Sequence, residues 1–165
     1  MKVIIDIDNT LSIATDRFKM AEKENGKTDW DYVHASENII KDKPNLPMIE
    51  LTKSYKENGF EVIVLTGRPE STRKVTKEWL QKYNIPYDKL YMRSWEDNFL
   101  KAPVFKKKIY EMEIKDGVFC AYDDDQRIID VWVELGITSF KVFVIYSNEG
   151  SPCTCSKWLE YIFLP

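Results

Sequence analysis

The run Val3-Ile4-Ile5-Asp6-Ile7-Asp8-Asn9-Thr10 leaves few folds open to this chain. Val3, Ile4 and Ile5 are β-branched and unbroken by a polar residue, the pattern of a strand buried on both faces in a parallel sheet. The strand ends on two carboxylates one residue apart. Period-two geometry points Asp6 and Asp8 the same way, into the crevice beyond the strand's carboxyl end, where open α/β sheets bind ligands. Carboxylates so close repel unless a cation or a proton sits between them. Two readings stay open on these residues alone: a turn that closes a core strand, or a metal-assisted nucleophile beside an acid.

The rest of the chain repeats the arrangement. Residues 60–65 read as a second buried strand, ending on Thr66-Gly67-Arg68-Pro69. Residues 89–92 are a third strand, running into Arg93; residues 118–122 are a fourth, ending on Asp123-Asp124-Asp125; residues 142–145 are a fifth. Between them the spacing predicts a helix carrying Met48, Leu51 and Tyr55 and stopped at Asn58-Gly59. Another covers 70–83 with Val75, Trp79 and Leu80 inward. A third covers 102–114 and bears Lys106, Lys107 and Lys108. A fourth has Ile128, Trp132 and Leu135 on one face and ends at Gly136, and a last one surrounds 158–163. Alternating strands and helices predict an α/β, three-layer Rossmann-like fold with a mainly parallel five-stranded sheet. The whole of 1–165 reads as one domain, with 11–45 as a small cap insertion. That segment is expected to hold a short helix ending near Asn25-Gly26 and another capped by Thr28 or Asp29.

Right-handed crossovers place every strand's carboxyl end on one edge. That edge gathers Asp6 and Asp8, Thr66 and Arg68, Arg93, and Asp123 and Asp124. Core strands have no structural need to finish repeatedly on acids and arginines at the same edge. The convergence favours the chemical reading.

Composition removes other classes. A net charge of −3 and a pI near 5.3 argue against a whole-surface polyanion binder, while leaving room for a local basic groove. No apolar run is long enough to span a bilayer, and the amino terminus enters a strand without signal-peptide features, so no membrane association and a cytoplasmic location are expected. Three cysteines, an odd count, point to a reducing compartment rather than a disulfide framework. Cys153 and Cys155 read as ordinary thiols. His34, the only histidine, is expected on the surface rather than as a catalytic base.

Carboxylates from two strands, without histidine or cysteine, make a hard oxygen site that suits Mg²⁺ and leaves room for a phosphate ligand. Thr66, Arg68, Arg17 and a lysine are the donors and cations that phosphate oxygens need. Asp6-Ile7-Asp8-Asn9-Thr10, Leu65-Thr66-Gly67-Arg68, a lysine near 106 and Asp123-Asp124 resemble, in order and spacing, the four motifs of the haloacid dehalogenase (HAD) superfamily of phosphatases. Within it, the chain is similar to the 3′-phosphatase domain of bacteriophage polynucleotide kinase. The likeness includes Arg17, Asp29-Trp30, Pro47-Met48, Glu70-Ser71, Arg93 with Asp97, and Ala121-Tyr122-Asp123-Asp124 followed by Ile128, Ile129 and Trp132.

This resemblance implies roles. Asp6 would be the nucleophile that becomes an aspartyl-phosphate. Asp8 would protonate the leaving alcohol and then activate water. Mg²⁺ would be held by Asp6, the Asp8 backbone carbonyl and an acid of the pair Asp123 and Asp124. Thr66 and Lys106 would hold the transferring phosphate, with Arg17, Gly67, Arg68 and Arg93 as phosphate or substrate contacts. Each residue along a helix turns about 100° from the last, so one lysine of the 106–108 run faces the site, and Lys106 is the choice. Ala102-Pro103 and Asp125 depart from the phage enzyme, which has acids in the first region and an arginine at the second position. The implied function is a Mg²⁺-dependent phosphomonoesterase removing 3′-phosphates from nucleic-acid ends. The alternatives are a 5′- or 3′-nucleotidase acting on free mononucleotides and a non-catalytic HAD-like binding module, which could dispense with one of the paired acids. The sequence has no G-x-x-x-x-G-K-[ST] loop, so kinase activity is expected on another chain, with a separate kinase or ligase as partner.

Overall fold

Val3, Ile4 and Ile5 are at most 2% exposed, and the strand they form is the centre of the sheet. The computed structural model describes residues 1–144. In chain order its elements are β1 (Lys2–Ile5), β2 (Ser12–Ile13), α1 (Thr15–Met20), α2 (Trp30–His34), α3 (Ser36–Ile39), β3 (Lys43–Pro44), α4 (Leu46–Glu57), β4 (Glu61–Pro69), α5 (Arg73–Lys82), β5 (Lys89–Arg93), α6 (Ala102–Ile109), β6 (Val118–Asp123), α7 (Gln126–Glu134) and β7 (Ser139–Lys141). The main sheet runs β5-β4-β1-β6-β7 and every pairing is parallel.

Alternation along the strands divides the core into two layers. Val3, Ile5, Val62 and Val64 pack on one side with Met48 and Ile49 of α4 and Trp79 and Leu80 of α5. Ile4, Ile63, Leu65 and Ala121 pack on the other with Phe105 of α6 and Ile128, Ile129 and Trp132 of α7. This is the expected three-layer α/β architecture.

Three elements of the main sheet and its covering helices depart from expectation. β4 continues through Thr66-Gly67-Arg68 to Pro69, with a register shift against β5 between Leu65 and Pro69. The predicted helix over 102–114 is α-helical only to Ile109 and then widens into a π turn, Tyr110–Ile114. The wider turn brings Ile114 into the core, where it is 2% exposed, and the Lys115 amide donates back to the Tyr110 carbonyl at 2.8 Å. Among the described residues the last paired strand is Ser139–Lys141, and 142–144, where the predicted strand begins, is not part of it. Backbone bonds from Ala121 to Thr138 (3.0 Å) and from Val142 to Asp123 (2.9 Å) set its register directly after α7. Ile145, Cys153, Cys155 and the predicted helix at 158–163 lie outside the described residues.

The segment 11–45 leaves the carboxyl end of β1 and is closed at its base by the antiparallel pair β2–β3, with Ser12 opposite Pro44. Its first helix ends at Met20, earlier than expected, and Asn25-Gly26 is a turn with Gly26 at φ 73°. Asp29 caps α2 as expected, its Oδ1 accepting from the Tyr32 amide at 3.2 Å.

Candidate active site

Asn9 bends the chain out of β1. It adopts a left-handed φ of 57°, and its Oδ1 accepts from the Ala14 amide (3.0 Å) and the Thr15 hydroxyl (3.1 Å). An Asn tolerates this conformation because its short amide can bond locally. The strand itself ends at Ile5, so Asp6 and Asp8 are not held in the expected period-two register and enter different surroundings.

Asp6 is 5% exposed and meets Lys106. The Lys106 ammonium donates to Asp6 Oδ1 and to Asp123 Oδ2, both at 2.6 Å. Asp6, Asp123 and Asp124 each offer a carboxylate oxygen within 4.8 Å of the others. Of the three adjacent lysines, Lys106 alone is buried, at 2% exposure; Lys108 pairs with Asp97 at 2.7 Å instead. Burial pushes the Asp6 carboxyl well above its ordinary range, Lys106 pulls it down, and Asp123, Asp124 and Asp8 push it up again. Burial and Asp123 raise Asp124 to about 6. Burial disfavours the charged form of Lys106, but Asp123 and Asp6 outweigh it, so the lysine is held firmly charged.

Asp8 belongs to a second cluster. Arg68 Nε and Nη2 donate to its carboxylate at 3.1 and 2.7 Å, and Arg17 Nη2 also donates to it. Burial opposes ionisation of Asp8, yet Arg68 and Arg17 hold it well below the usual carboxylate range. The same two arginines reach Asp42, Arg17 at 2.8 Å and Arg68 at 3.1 Å. Asp42 is fixed from behind by Trp79, whose indole N–H donates to the Asp42 carbonyl at 2.8 Å. Two carboxylates and two guanidiniums thus balance in charge, as burial requires.

Both clusters meet at a cleft of about 360 Å³ lined by Asp6, Asp8, Gly67, Arg68, Arg93, Lys106, Asp123 and Asp124. Arg17 and Thr66 are not among its lining residues. Arg17 is 5% exposed and donates to Val33 O at 2.6 Å besides its acids. Thr66 is fully buried, its Oγ1 accepting from the Arg68 amide at 3.3 Å. Arg93 donates to the Gly67 carbonyl at 3.2 Å and to the Leu100 carbonyl, and lies 5.3 Å over the Phe105 ring. A Cβ on Gly67 would stand 3.4 Å from Arg93 Nη2, so the glycine leaves the guanidinium its place.

His34 is not simply on the surface. It is half-buried, lines the cleft, and stacks on Trp30; burial is the main cause that lowers it to about 4. Asp42 and Arg127 also escape the sequence reading. Asp42 sits between two lysines in a polar stretch that carries no motif. Arg127 lines the cleft and pairs with Asp125 at 2.5 Å, so a cation stands beside the position where Asp125 departs from the phage pattern.

Lys106 alone faces three carboxylates in the first cluster, so negative charge is left over. The donor set is entirely oxygen and suits a hard divalent cation such as Mg²⁺. The Asp8 carboxylate is outside this group.

The family model of the polynucleotide kinase PNKP phosphatase domain matches residues 1–144. The chain belongs to this family. Its members are phosphatase domains, and the fold and motif order here are those of the HAD type. In a structure of the Pnkp1/Rnl/Hen1 RNA repair complex, one chain is 31% identical over 90% of this chain and 43% of its own length, with a TM-score of 0.70. The haloacid dehalogenase-like hydrolase SP0104 from Streptococcus pneumoniae shares the fold at 12% identity and a TM-score of 0.60, with 85% of this chain and 83% of that one covered. Mouse membrane-associated phosphatidylinositol transfer protein 3 is 21% identical over 59% of this chain and 10% of its own. The chain therefore spans less than half of the Pnkp1-complex chain and a tenth of that curated relative.

Proposed function

We propose that this PNKP-family phosphatase domain is a Mg²⁺-dependent phosphomonoesterase that removes 3′-phosphates from nucleic-acid ends through an aspartyl-phosphate on Asp6. The observation that carries the reading is the juxtaposition of Asp6, Lys106, Asp123 and Asp124 at one end of a cleft whose neighbouring wall presents Asp8. A buried lysine and a buried acid cluster at strand ends have no packing purpose, and phosphoryl transfer needs a nucleophile, an acid and fixed cations together.

In the first half-reaction an Asp6 oxygen attacks phosphorus as the bond to the 3′-oxygen breaks, and Asp8 delivers a proton to that oxygen. In the second, the Asp8 carboxylate takes a proton from water, which attacks phosphorus and frees Asp6. With Arg17 and Arg68 both on it, Asp8 is in the basic form needed for the second half. A phosphate dianion entering beside Arg68 competes for that guanidinium and adds negative charge, and both effects raise the affinity of Asp8 for a proton. Lys106 stays charged and holds the equatorial oxygens. Asp6, Asp123 and Asp124 would hold Mg²⁺, which when bound offsets the charge of the phosphate. The segment 11–45 serves as a small cap, placing Phe18, Trp30 and His34 at the cleft. A separate kinase or ligase partner fits the likeness to a chain of an RNA repair complex.

The test is phosphate release from a 3′-phosphorylated oligonucleotide, its 5′-phosphorylated isomer, and 3′- and 5′-mononucleotides, each with Mg²⁺ and with EDTA. The 3′-phosphorylated oligonucleotide is expected to have the highest kcat/KM, and EDTA to abolish turnover. Higher efficiency on free nucleotides would move the assignment to a nucleotidase.

A further inference from the structure

Beside the catalytic cleft lies a second depression of about 640 Å³, and Trp30, His34, Gly67, Arg93 and Arg127 line both. The two therefore run into each other across a shared wall, and Trp30 stands on it. Its ring stacks on His34, one helical turn along α2, at 5.5 Å between centroids and 23° between planes. Phe18 meets it edge-on at 6.5 Å and 84°. Asp29 caps α2 just before it, fixing the helix that carries the pair. Trp30 is thus braced on two sides and still 56% exposed. A large aromatic ring gains nothing for folding from that exposure.

Burial keeps His34 neutral near pH 7, so the pair presents aromatic faces rather than a charge. The second depression, unlike the catalytic cleft, is also lined by Ser71 and Asn98, which offer hydrogen bonds, and by Lys101, which is exposed and positive. An aromatic face, polar groups and cations around one depression beside a phosphate site are the chemistry that the base, sugar and next phosphate of a single strand call for.

We propose that the second depression is a nucleoside subsite, in which the base next to the scissile phosphate stacks on Trp30 and the strand continues past Arg93 and Lys101. The inference rests on the phosphatase reading above and adds what recognises its substrate. Every nucleobase has a π face, so the subsite tolerates any terminal base and discriminates against phosphomonoesters that have none.

The experiment compares kcat/KM for two 3′-phosphorylated oligonucleotides, one with a normal terminal nucleotide and one with an abasic terminal sugar. It is run on the wild type, Trp30→Ala and Trp30→Phe. The wild type is expected to favour the base by about tenfold, Trp30→Ala to bring the ratio near one, and Trp30→Phe to keep most of it. Turnover of both substrates with a wild-type ratio near one, or a ratio unchanged in Trp30→Ala, overturns the subsite and leaves the phosphatase reading standing. Failure of the wild type to release phosphate from either oligonucleotide or from a small aryl phosphate overturns both.

Discussion

Asp6 and Asp8 are two residues apart, yet their surroundings drive their proton affinities in opposite directions, Asp6 upward and Asp8 downward. Opposed environments of this kind assign different roles to paired carboxylates. Asp6→Asn is expected to lower turnover by at least about 10³-fold with the fold intact by circular dichroism, because an amide cannot form the acyl-phosphate. Asp8→Asn should slow release of a 3′-ribose or deoxyribose oxygen far more than release of p-nitrophenolate, which needs little protonation. Equal losses on both substrates would remove Asp8 as the acid. His34 gives a prediction on stability. Its folded value of about 4 lies below the ordinary 6.5, so the unfolded chain takes up the proton first as pH falls. Its contribution is therefore complete above about pH 6.5 and is lost on the way down to 4. Discounted for the half-exposed ring, the loss is at most about 2 kcal/mol. Thermal melts of wild type and His34→Gln should diverge between pH 7 and pH 4.5, with the wild type falling more steeply.

The strands and helices owe their legibility to strong, simple patterns. β1, β4 and β6 are unbroken apolar runs ending on chemistry-bearing residues, and α5 and α7 place their predicted faces inward. Helical rotation limits the 106–108 run to one lysine at the site without saying which, and the one that reaches Asp6 is Lys106. The failures have physical causes too. β7 is three residues long, and its register follows from α7 and β6 rather than from its own composition. Asp42 matters because the fold brings it across 25 residues to Arg17 and 26 to Arg68, a long-range pairing without local signature. Removing that charge leaves two buried guanidiniums with one carboxylate. Asp42→Asn is accordingly expected to cost about 3 kcal/mol in urea unfolding. A loss under about 0.5 kcal/mol would mean that the four groups are not a charge-balanced unit.

At the scale of the molecule, the parallel sheet collects acids and cations from β1, β4, α6 and β6 at one edge of a chain whose net charge is only −3. The excess of carboxylate over lysine around Asp6 predicts that Mg²⁺ raises the melting temperature without any substrate present. Because Asp124 is raised to about 6, protons compete with the ion below that pH, and the upshift should shrink as pH falls from 7 to 5. Asp124→Asn should show little upshift at any pH; an upshift equal to wild type would move the ion elsewhere. The covalent role proposed for Asp6 can be tested directly. On the proposed mechanism Asp8→Asn should slow hydrolysis of the intermediate, while p-nitrophenyl phosphate, with its good leaving group, should still let it form. With the phosphate of that ester radiolabelled, acid quenching of Asp8→Asn should yield labelled protein, with the label on the peptide containing Asp6 and removed by hydroxylamine. The Asp6→Asn, Asp8→Asn double variant should carry none. Release of labelled phosphate from Asp8→Asn with no label ever on the protein, or label retained when Asp6 is replaced, would contradict the account.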